Sequence, residues 1–265
     1  MLHTSIQSID SVKKKIVSLV PSITELFYSL GLRDEVVGVT KFCVHPKKWL
    51  HEKTIVGGTK NLRIAAIENL QPDLIIASKE ENVEDQVKLL SQNFNVLLTD
   101  VISIEDGFQL LSDVALIAGK KDVGEILVSY TKSVFADLKN HIEAKTKIPK
   151  IVYLIWKDPF MGVGGDTFIN HMIKAAGFEN MLATANRYPT ISENELQNLA
   201  PDYIFLSSEP YPFNATHQGK LQKQFPESKI VLVDGEMFSW YGSRLLFAPA
   251  YFNELQQQLQ KNKAS

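Results

Sequence analysis

The chain has 265 residues, 45% hydrophobic and 22% charged, with a formal net charge of -2. That length suits one large domain or two ordinary ones, and the charge gives no footprint for nucleic acid or an anionic membrane surface. The single cysteine, Cys43, excludes an intramolecular disulfide and a cysteine-based zinc cluster.

The N-terminal stretch Met1–Asp10 has neither an apolar signal core nor a cleavage site. As written, a cytoplasmic location is expected, or a periplasmic or extracellular one if a leader has been removed. No apolar run reaches the roughly 18 residues that span a bilayer, so no membrane insertion is expected. Ile16–Val20, apolar except for Ser18 and stopped by Pro21, has the pattern of a buried parallel strand. Ser22-Ile-Thr-Glu25 has the form of a capping box. It opens a helix carrying Leu26, Phe27 and Leu30 to a stop at Gly31. Val36–Thr40 reads as the next strand, Phe42–Trp49 as a loop containing Pro46, and Gly57-Gly58-Thr59 as a turn before a helix from Ile64 to Leu70. A strand at Leu74–Ala77, a helix at Val83–Gln92, a strand at Val96–Thr99 and a helix at Ile104–Ala118 complete the first half.

From Asp122 to about Lys145 there is no proline, and Ile126, Leu127, Tyr130, Val134, Leu138 and Ile142 recur at helical spacing. At 1.5 Å per residue this single element would extend about 35 Å. One rigid helix joining two halves predicts little opening and closing. Beyond it come a strand at Ile151–Trp156, a glycine-rich loop at Lys157–Asp166, and a helix from Thr167 to Ala176 with Asp166 as its cap. A second capping box follows at Ser192-Glu-Asn-Glu195, then strands at Tyr203–Leu206 and Ile230–Val233 and a final helix at Tyr251–Leu259.

The two halves repeat one another. Lys15-Ile-Val-Ser-Leu-Val is echoed by Lys150-Ile-Val-Tyr-Leu-Ile, Leu70-Gln-Pro-Asp by Leu199-Ala-Pro-Asp, and Val96-Leu-Leu-Thr-Asp100 by Ile230-Val-Leu-Val-Asp234, in the same order. The expected fold class is therefore α/β: two similar Rossmann-like lobes with parallel sheets, joined by one long backbone helix, with a ligand cleft between the lobes. The expected division is 1–120 for the N-terminal lobe, 121–147 for the linking helix and 148–265 for the C-terminal lobe.

In parallel α/β sheets, ligands sit beyond the carboxyl ends of the strands. In the first half those ends deliver Pro21 and Ser22, Lys41 and Phe42, and Lys79 and Glu80. In the second half they deliver the rings Trp156, Phe160, Tyr211, Phe213, Phe238, Trp240 and Tyr241. Rings gathered on loops suit a large planar ligand; the plainer reading of each ring is that it closes a loop onto the lobe core. Arg187 beside Tyr188 and Arg244 beside Tyr241 offer cations for an acidic or amide group, against the plainer reading of loop-tethering ion pairs. Asp234 and Glu236 are the first carboxylate candidates and Glu209 the next, against the plainer reading of a satisfied loop hydrogen bond for each. Cys43-Val-His45 is the only close pair of soft metal ligands, weighed against a structural turn at Pro46. The chain has no Gly-x-Ser-x-Gly elbow and no His-Glu-x-x-His, which speaks against hydrolytic chemistry.

Ile-Val-Ser-Leu-Val-Pro-Ser with Thr24-Glu25, Leu-Gly-Leu at 30–32, Val37-Gly38-Val39, Val56-Gly57-Gly58 and Pro72-Asp73-Leu74 together resemble one known family. It is the helical-backbone class of substrate-binding proteins of ABC importers, of the cobalamin and iron-siderophore binding type, and the resemblance runs from about Lys15 to Leu255. It implies a monomeric, non-enzymatic protein with no intrinsic cofactor. Its ligand would be cobalamin, haem or a ferric siderophore, and its partner an ABC permease, or no permease at all if the chain is a cytosolic relative of the importer components. Members dock their permease through a glutamate on the helix before each Pro-Asp strand; here those positions are Ala65 and Asn194, with Glu68, Glu193 and Glu195 nearby. The rival from another class is a corrinoid- or metal-dependent enzyme, or a regulatory protein, on the same bilobal fold.

Overall fold

The structure is a computed structural model that describes residues 1–6, 15–143 and 147–261. The chain forms two compact units. Unit 1 comprises 1–101, 105–131 and 241–243; unit 2 comprises 102–104, 132–240 and 244–265.

Unit 1 is built on a six-stranded, wholly parallel sheet. Its elements in chain order are β1 (Leu2–His3), β2 (Ile16–Ser18), α1 (Pro21–Ser29), β3 (Val36–Val39), α2 (Trp49–Glu52), β4 (Thr54–Ile55), α3 (Ile64–Leu70), β5 (Leu74–Ser78), α4 (Glu84–Ser91), β6 (Val96–Thr99) and α5 (Ile104–Ile117). The sheet order is β1-β6-β5-β2-β3-β4. β2 and β5 are buried along their whole length, as continuous apolar runs covered by helices on both faces require. The chain first builds outward from β2 to β4, then returns to start β5 on the other side of β2. The topological switch point therefore lies between β2 and β5.

Unit 2 continues with β7 (Lys150–Trp156), β8 (Phe160–Gly162), α7 (Phe168–Ala175), β9 (Glu179–Asn180), β10 (Thr190–Ile191), α8 (Glu193–Leu199), β11 (Tyr203–Ser207), α9 (Ala215–Gln224), β12 (Lys229–Val233), α10 (Gly235–Ser239) and α11 (Ala248–Lys261). β7, β11 and β12 are mutually parallel, and β8 and β10 add two antiparallel strands at one edge. Before these elements runs α6 (Lys121–Glu143), which supplies residues 121–131 to unit 1 and 132–143 to unit 2. The end expected near Lys145 lies outside the described residues. Of the apolar positions expected along α6, Leu138 is buried, whereas Ile126 and Tyr130 are mostly exposed. Gly124 lets α6 close on α5, since a Cβ there would meet the Ala115 Cβ at 2.3 Å.

The sequence repeat is a repeat of register. Ile16 pairs with Leu74 and Ile75 with Val96 in unit 1; Ile151 pairs with Tyr203 and Ile204 with Ile230 in unit 2. The residue before each Pro-Asp also matches: Gln71 and Ala200 both close their helices in the left-handed region, at φ 46° and 44°.

Local expectations need four corrections. Ser22 does not cap α1. Proline has no N–H to satisfy and its fixed φ suits the first helical turn, so Pro21 begins the helix and Val20 is the N-cap. Asp166 does not cap α7 either; Thr167 does, accepting from the Asn170 N–H. The loop expected at 157–166 contains β8, which folds back on β7. α9 was not anticipated, because its sequence ATHQGKLQKQ has little apolar periodicity; its Asn214 and His217 form a reciprocal cap instead. The box at Ser192 and Glu195 is present as read.

Candidate functional site

At the carboxyl edge of the unit 1 sheet, the switch point is held together by small polar groups. Asn82 accepts the Ser78 N–H at 2.9 Å and donates to the Thr59 carbonyl at 3.0 Å, joining the end of β5 to the 57–59 turn. The Ser78 hydroxyl receives the Glu80 N–H at 3.1 Å and the Tyr241 hydroxyl at 3.0 Å, so the returning 241–243 segment seals this crevice. Ser22 also bonds the Tyr241 hydroxyl, and burial pushes that phenol well above its ordinary range. Pro21, Ser22 and Tyr241 are therefore buried parts of the edge. Its outer surface is different: Phe42 is half exposed, the Lys41 ammonium lies 5.0 Å from that ring's centroid, and Lys79 pairs with Asp100 at 2.5 Å. Glu80 is half-buried, and its carbonyl receives the Lys60 ammonium at 2.8 Å.

Cys43 is fully buried, bonded to the Thr24 hydroxyl at 3.1 Å and beside that of Thr40 at 3.2 Å. Burial pushes its thiol up, which disfavours the thiolate a metal would need. It packs the β3 end. Among the described residues no group of three or more His, Cys, Asp or Glu is placed to hold a metal ion.

At the carboxyl edge of the unit 2 sheet the rings separate into two sets. Phe160 and Phe213 belong to the buried cluster with Val152, Leu154 and Leu206. Phe238 has no exposed surface and packs against Tyr153 and Phe252, with centroids 5.2 and 4.8 Å away. For these three the plainer core reading holds: they anchor the loops from below. The outer set is Trp156 and Tyr211, which meet edge to face at 5.5 Å. Trp156 is the exposed ring at the end of β7, 40% accessible, and Tyr211 is half-buried at the end of β11.

Trp240 lies between these sets. It is nearly buried, and its indole N–H donates to Glu209 Oε1 at 2.8 Å, an oxygen that also receives the Ser239 hydroxyl at 2.6 Å. The Arg244 guanidinium sits 5.1 Å from the Trp240 ring and pairs with Glu236 at 2.9 Å. Burial pushes the Glu209 carboxyl up, partly opposed by those two hydrogen bonds. Asp234 caps α10 by accepting the Glu236 N–H at 3.0 Å. Glu236, Glu209 and Arg244 thus form one network around the indole, joining two of the carboxylates expected from the sequence.

Arg187 is exposed at φ 54°, with its guanidinium 5.5 Å from the Tyr188 ring and its N–H on Asp166 Oδ1. The glycines of the preceding loop serve close approach to this segment. Gly164 donates to the Arg187 carbonyl at 2.7 Å and Gly165 to that of Ala185 at 2.9 Å.

A family described as periplasmic binding protein matches residues 16–229. The chain belongs to that family. An uncharacterized ABC transporter substrate-binding lipoprotein of Bacillus subtilis is 30% identical over 198 residues, which span 72% of this chain and 62% of the lipoprotein, under two thirds of its length. A vitamin B12-binding protein of Vibrio parahaemolyticus is 23% identical over 78% of this chain and 75% of its own. Among solved structures, the periplasmic vitamin B12 binding protein of Vibrio cholerae superposes with a TM-score of 0.79 at 20% identity, covering 93% of this chain and 99% of that one. A periplasmic heme binding protein from Pseudomonas aeruginosa gives 0.77 at 20% identity over 91% and 94%. These superpositions show a shared fold. In this member of the family, Ala65 and Asn194 are exposed at the second positions of α3 and α8, and Glu195 is consumed by its own cap. Among the described residues no helix is long and apolar enough to cross a membrane.

Proposed function

We propose that this protein is a non-enzymatic solute-binding component of an ABC importer and that its solute is a large metal chelate: a cobalamin-like corrinoid, a haem or a ferric siderophore. The observation that carries the reading is the exposed Trp156 with Tyr211 edge-on beside it at the carboxyl ends of β7 and β11. That is the place where α/β sheets present ligands, and flat rings held there cost little entropy on binding. Phe42 with Lys41 at the unit 1 edge, and Trp240 with Arg244 at the unit 2 edge, supply further rings, each with a cation beside it. The relatives whose names specify vitamin B12 or heme make these two chelates the first to test. The hydrogen-bonded network of Glu209, Ser239, Glu236 and Arg244 around the Trp240 indole fits a site that holds its solute.

Permease contact would use the exposed surface of α3 and α8. There Glu68 and Glu193 are the carboxylates that replace the expected charges at Ala65 and Asn194.

The test is a titration of the purified protein with cyanocobalamin, haem and a ferric siderophore while following tryptophan fluorescence. Saturable quenching by one of them, with the ligand recovered unchanged, is expected. No response to any of the three would refute the reading.

A further inference from the structure

The pair of outer rings rests on a residue that has no place in the site described so far. Asn214 and His217 cap α9 reciprocally, and in that cap the backbone N–H of Asn214 donates to His217 Nδ1 at 3.2 Å. A backbone N–H can only donate, so Nδ1 presents a lone pair. The proton of the neutral imidazole is then on Nε2. Nε2 lies 3.1 Å from the Tyr211 hydroxyl oxygen. The imidazole N–H therefore donates to Tyr211, and the tyrosine's own O–H proton must go elsewhere. Among the described residues no side chain or carbonyl takes it. The imidazole also packs edge to face on both Tyr211, at 5.4 Å, and Phe213, at 5.7 Å. Phe213 is fixed in the core, so the tyrosine ring has little freedom to turn away from Trp156.

We propose that His217 is a positioning residue that fixes the Tyr211 hydroxyl as a hydrogen-bond donor to an oxygen acceptor on the bound chelate, beside the Trp156 ring. This rests on the reading of Trp156 and Tyr211 as ligand-facing. The acceptor is a carbonyl, carboxylate or phosphate oxygen at the rim of the chelate. A tyrosine that accepts from an imidazole is the more strongly polarised as a donor, because hydrogen bonds in a chain reinforce one another. The arrangement also discriminates: a ligand offering only donors or hydrocarbon at that point leaves the phenol proton unsatisfied.

Two measurements test this. In the ligand-free protein, nitrogen-15 correlation spectra of the histidine side chains should show His217 as the Nε2–H tautomer; an Nδ1–H tautomer would overturn the proposal outright. In fluorescence titrations with cyanocobalamin, haem and ferrichrome, Tyr211→Phe should weaken the probe that binds by about 3- to 10-fold, the usual worth of one such bond. His217→Phe, which keeps a ring but has no nitrogen, should weaken it by a similar factor, and the double variant should be no worse than Tyr211→Phe. His217→Gln should restore affinity to within about 2-fold, since glutamine at this capping position supplies both an acceptor for the Asn214 N–H and a donor for the tyrosine. Far-UV circular dichroism confirms that each variant is folded. Loss of affinity in His217→Phe with none in Tyr211→Phe would reduce His217 to a helix cap and sink the donor role. Absence of quenching in the wild type by all three probes would bring down the solute-binding reading and this proposal with it. The tautomer spectrum would then still report whether the local relay is right.

Discussion

Asp202 Oδ2 accepts the backbone N–H of Lys150 at 2.8 Å, and the same bond recurs in the other half, where Asp73 Oδ2 accepts that of Lys15 at 3.0 Å. In each case the aspartate of a Pro-Asp pair ties the start of its own strand to the start of the neighbouring parallel strand, β11 to β7 and β5 to β2. A carboxylate accepting a peptide N–H is stronger than a neutral bond, but both sites are partly open to solvent, which reduces its net worth. Asp202→Ala and Asp73→Ala should each cost about 1 kcal/mol, with the larger loss at Asp202, the less exposed of the two. Urea unfolding with an unchanged m-value would measure it; a neutral result at both positions would make the shared Pro-Asp pattern a matter of turn geometry alone.

That pair also shows why the fold was legible from sequence. Buried parallel strands need unbroken apolar runs, and strand starts need polar anchors, so Ile16, Leu74, Ile151 and Tyr203 with their Pro-Asp neighbours recur in order and pair in equivalent registers. What sequence left open was depth. Trp156 ends a strand and Phe160, Phe213 and Phe238 each come within about six residues of one, yet three face the core and Trp156 faces out. Only the β8 hairpin and the helix after β12 decide which. Neither was readable, one because glycines looked like loop and the other because Gly235–Ser239 is too short to show a period.

The two candidate tryptophans should therefore behave differently. Trp156→Ala removes a ring that is 40% exposed; it should weaken chelate binding by about 1–3 kcal/mol and leave thermal stability almost unchanged. Trp240→Ala should weaken binding too. It should also lower the melting temperature, because it removes a nearly buried ring and strips Glu209 of one of its two donors. Parallel titrations and melting curves compare the two. Equal thermal loss in both variants would contradict the difference in burial.

Cys43 should be silent in the native protein. Its sulfur is fully buried among Thr24 and Thr40, and burial holds the thiol protonated. Alkylation by iodoacetamide at neutral pH should be undetectable until denaturant is added, then complete. Rapid native labelling would show that the β3 end opens and would restore Cys43 as a candidate ligand.

Two glycines make opposite predictions. A Cβ on Gly165 would stand 2.0 Å from the Ala183 carbonyl oxygen, a backbone atom that cannot swing aside, whereas one on Gly219 in α9 meets nothing within 4 Å. Gly165→Ala should destabilise by at least about 2 kcal/mol through overpacking. Gly219→Ala should stabilise by about 0.5–1 kcal/mol, because alanine loses less backbone freedom in a helix. Chemical denaturation of both variants gives the signs.

Glu209 sets a pH dependence whose direction follows from its surroundings. Burial raises its carboxyl above the ordinary value of 4.5, so across the interval between that value and the raised one the folded protein holds a proton that the unfolded chain releases. A group with a raised folded pKa contributes its full stability below the unfolded pKa and loses it as pH rises through the folded pKa. The wild type should accordingly lose stability on going from about pH 4.5 toward neutrality by this route. Glu209→Gln keeps an oxygen to accept from Ser239 and Trp240 and has no charge to bury, so the variant should gain relative to the wild type as pH rises and converge with it in acid. Unfolding free energies of both proteins from pH 4 to 8 read this directly. A difference between them that shrinks toward neutral pH would mean that the hydrogen bonds from Ser239 and Trp240 outweigh desolvation and that the carboxylate is the favoured form in the folded site.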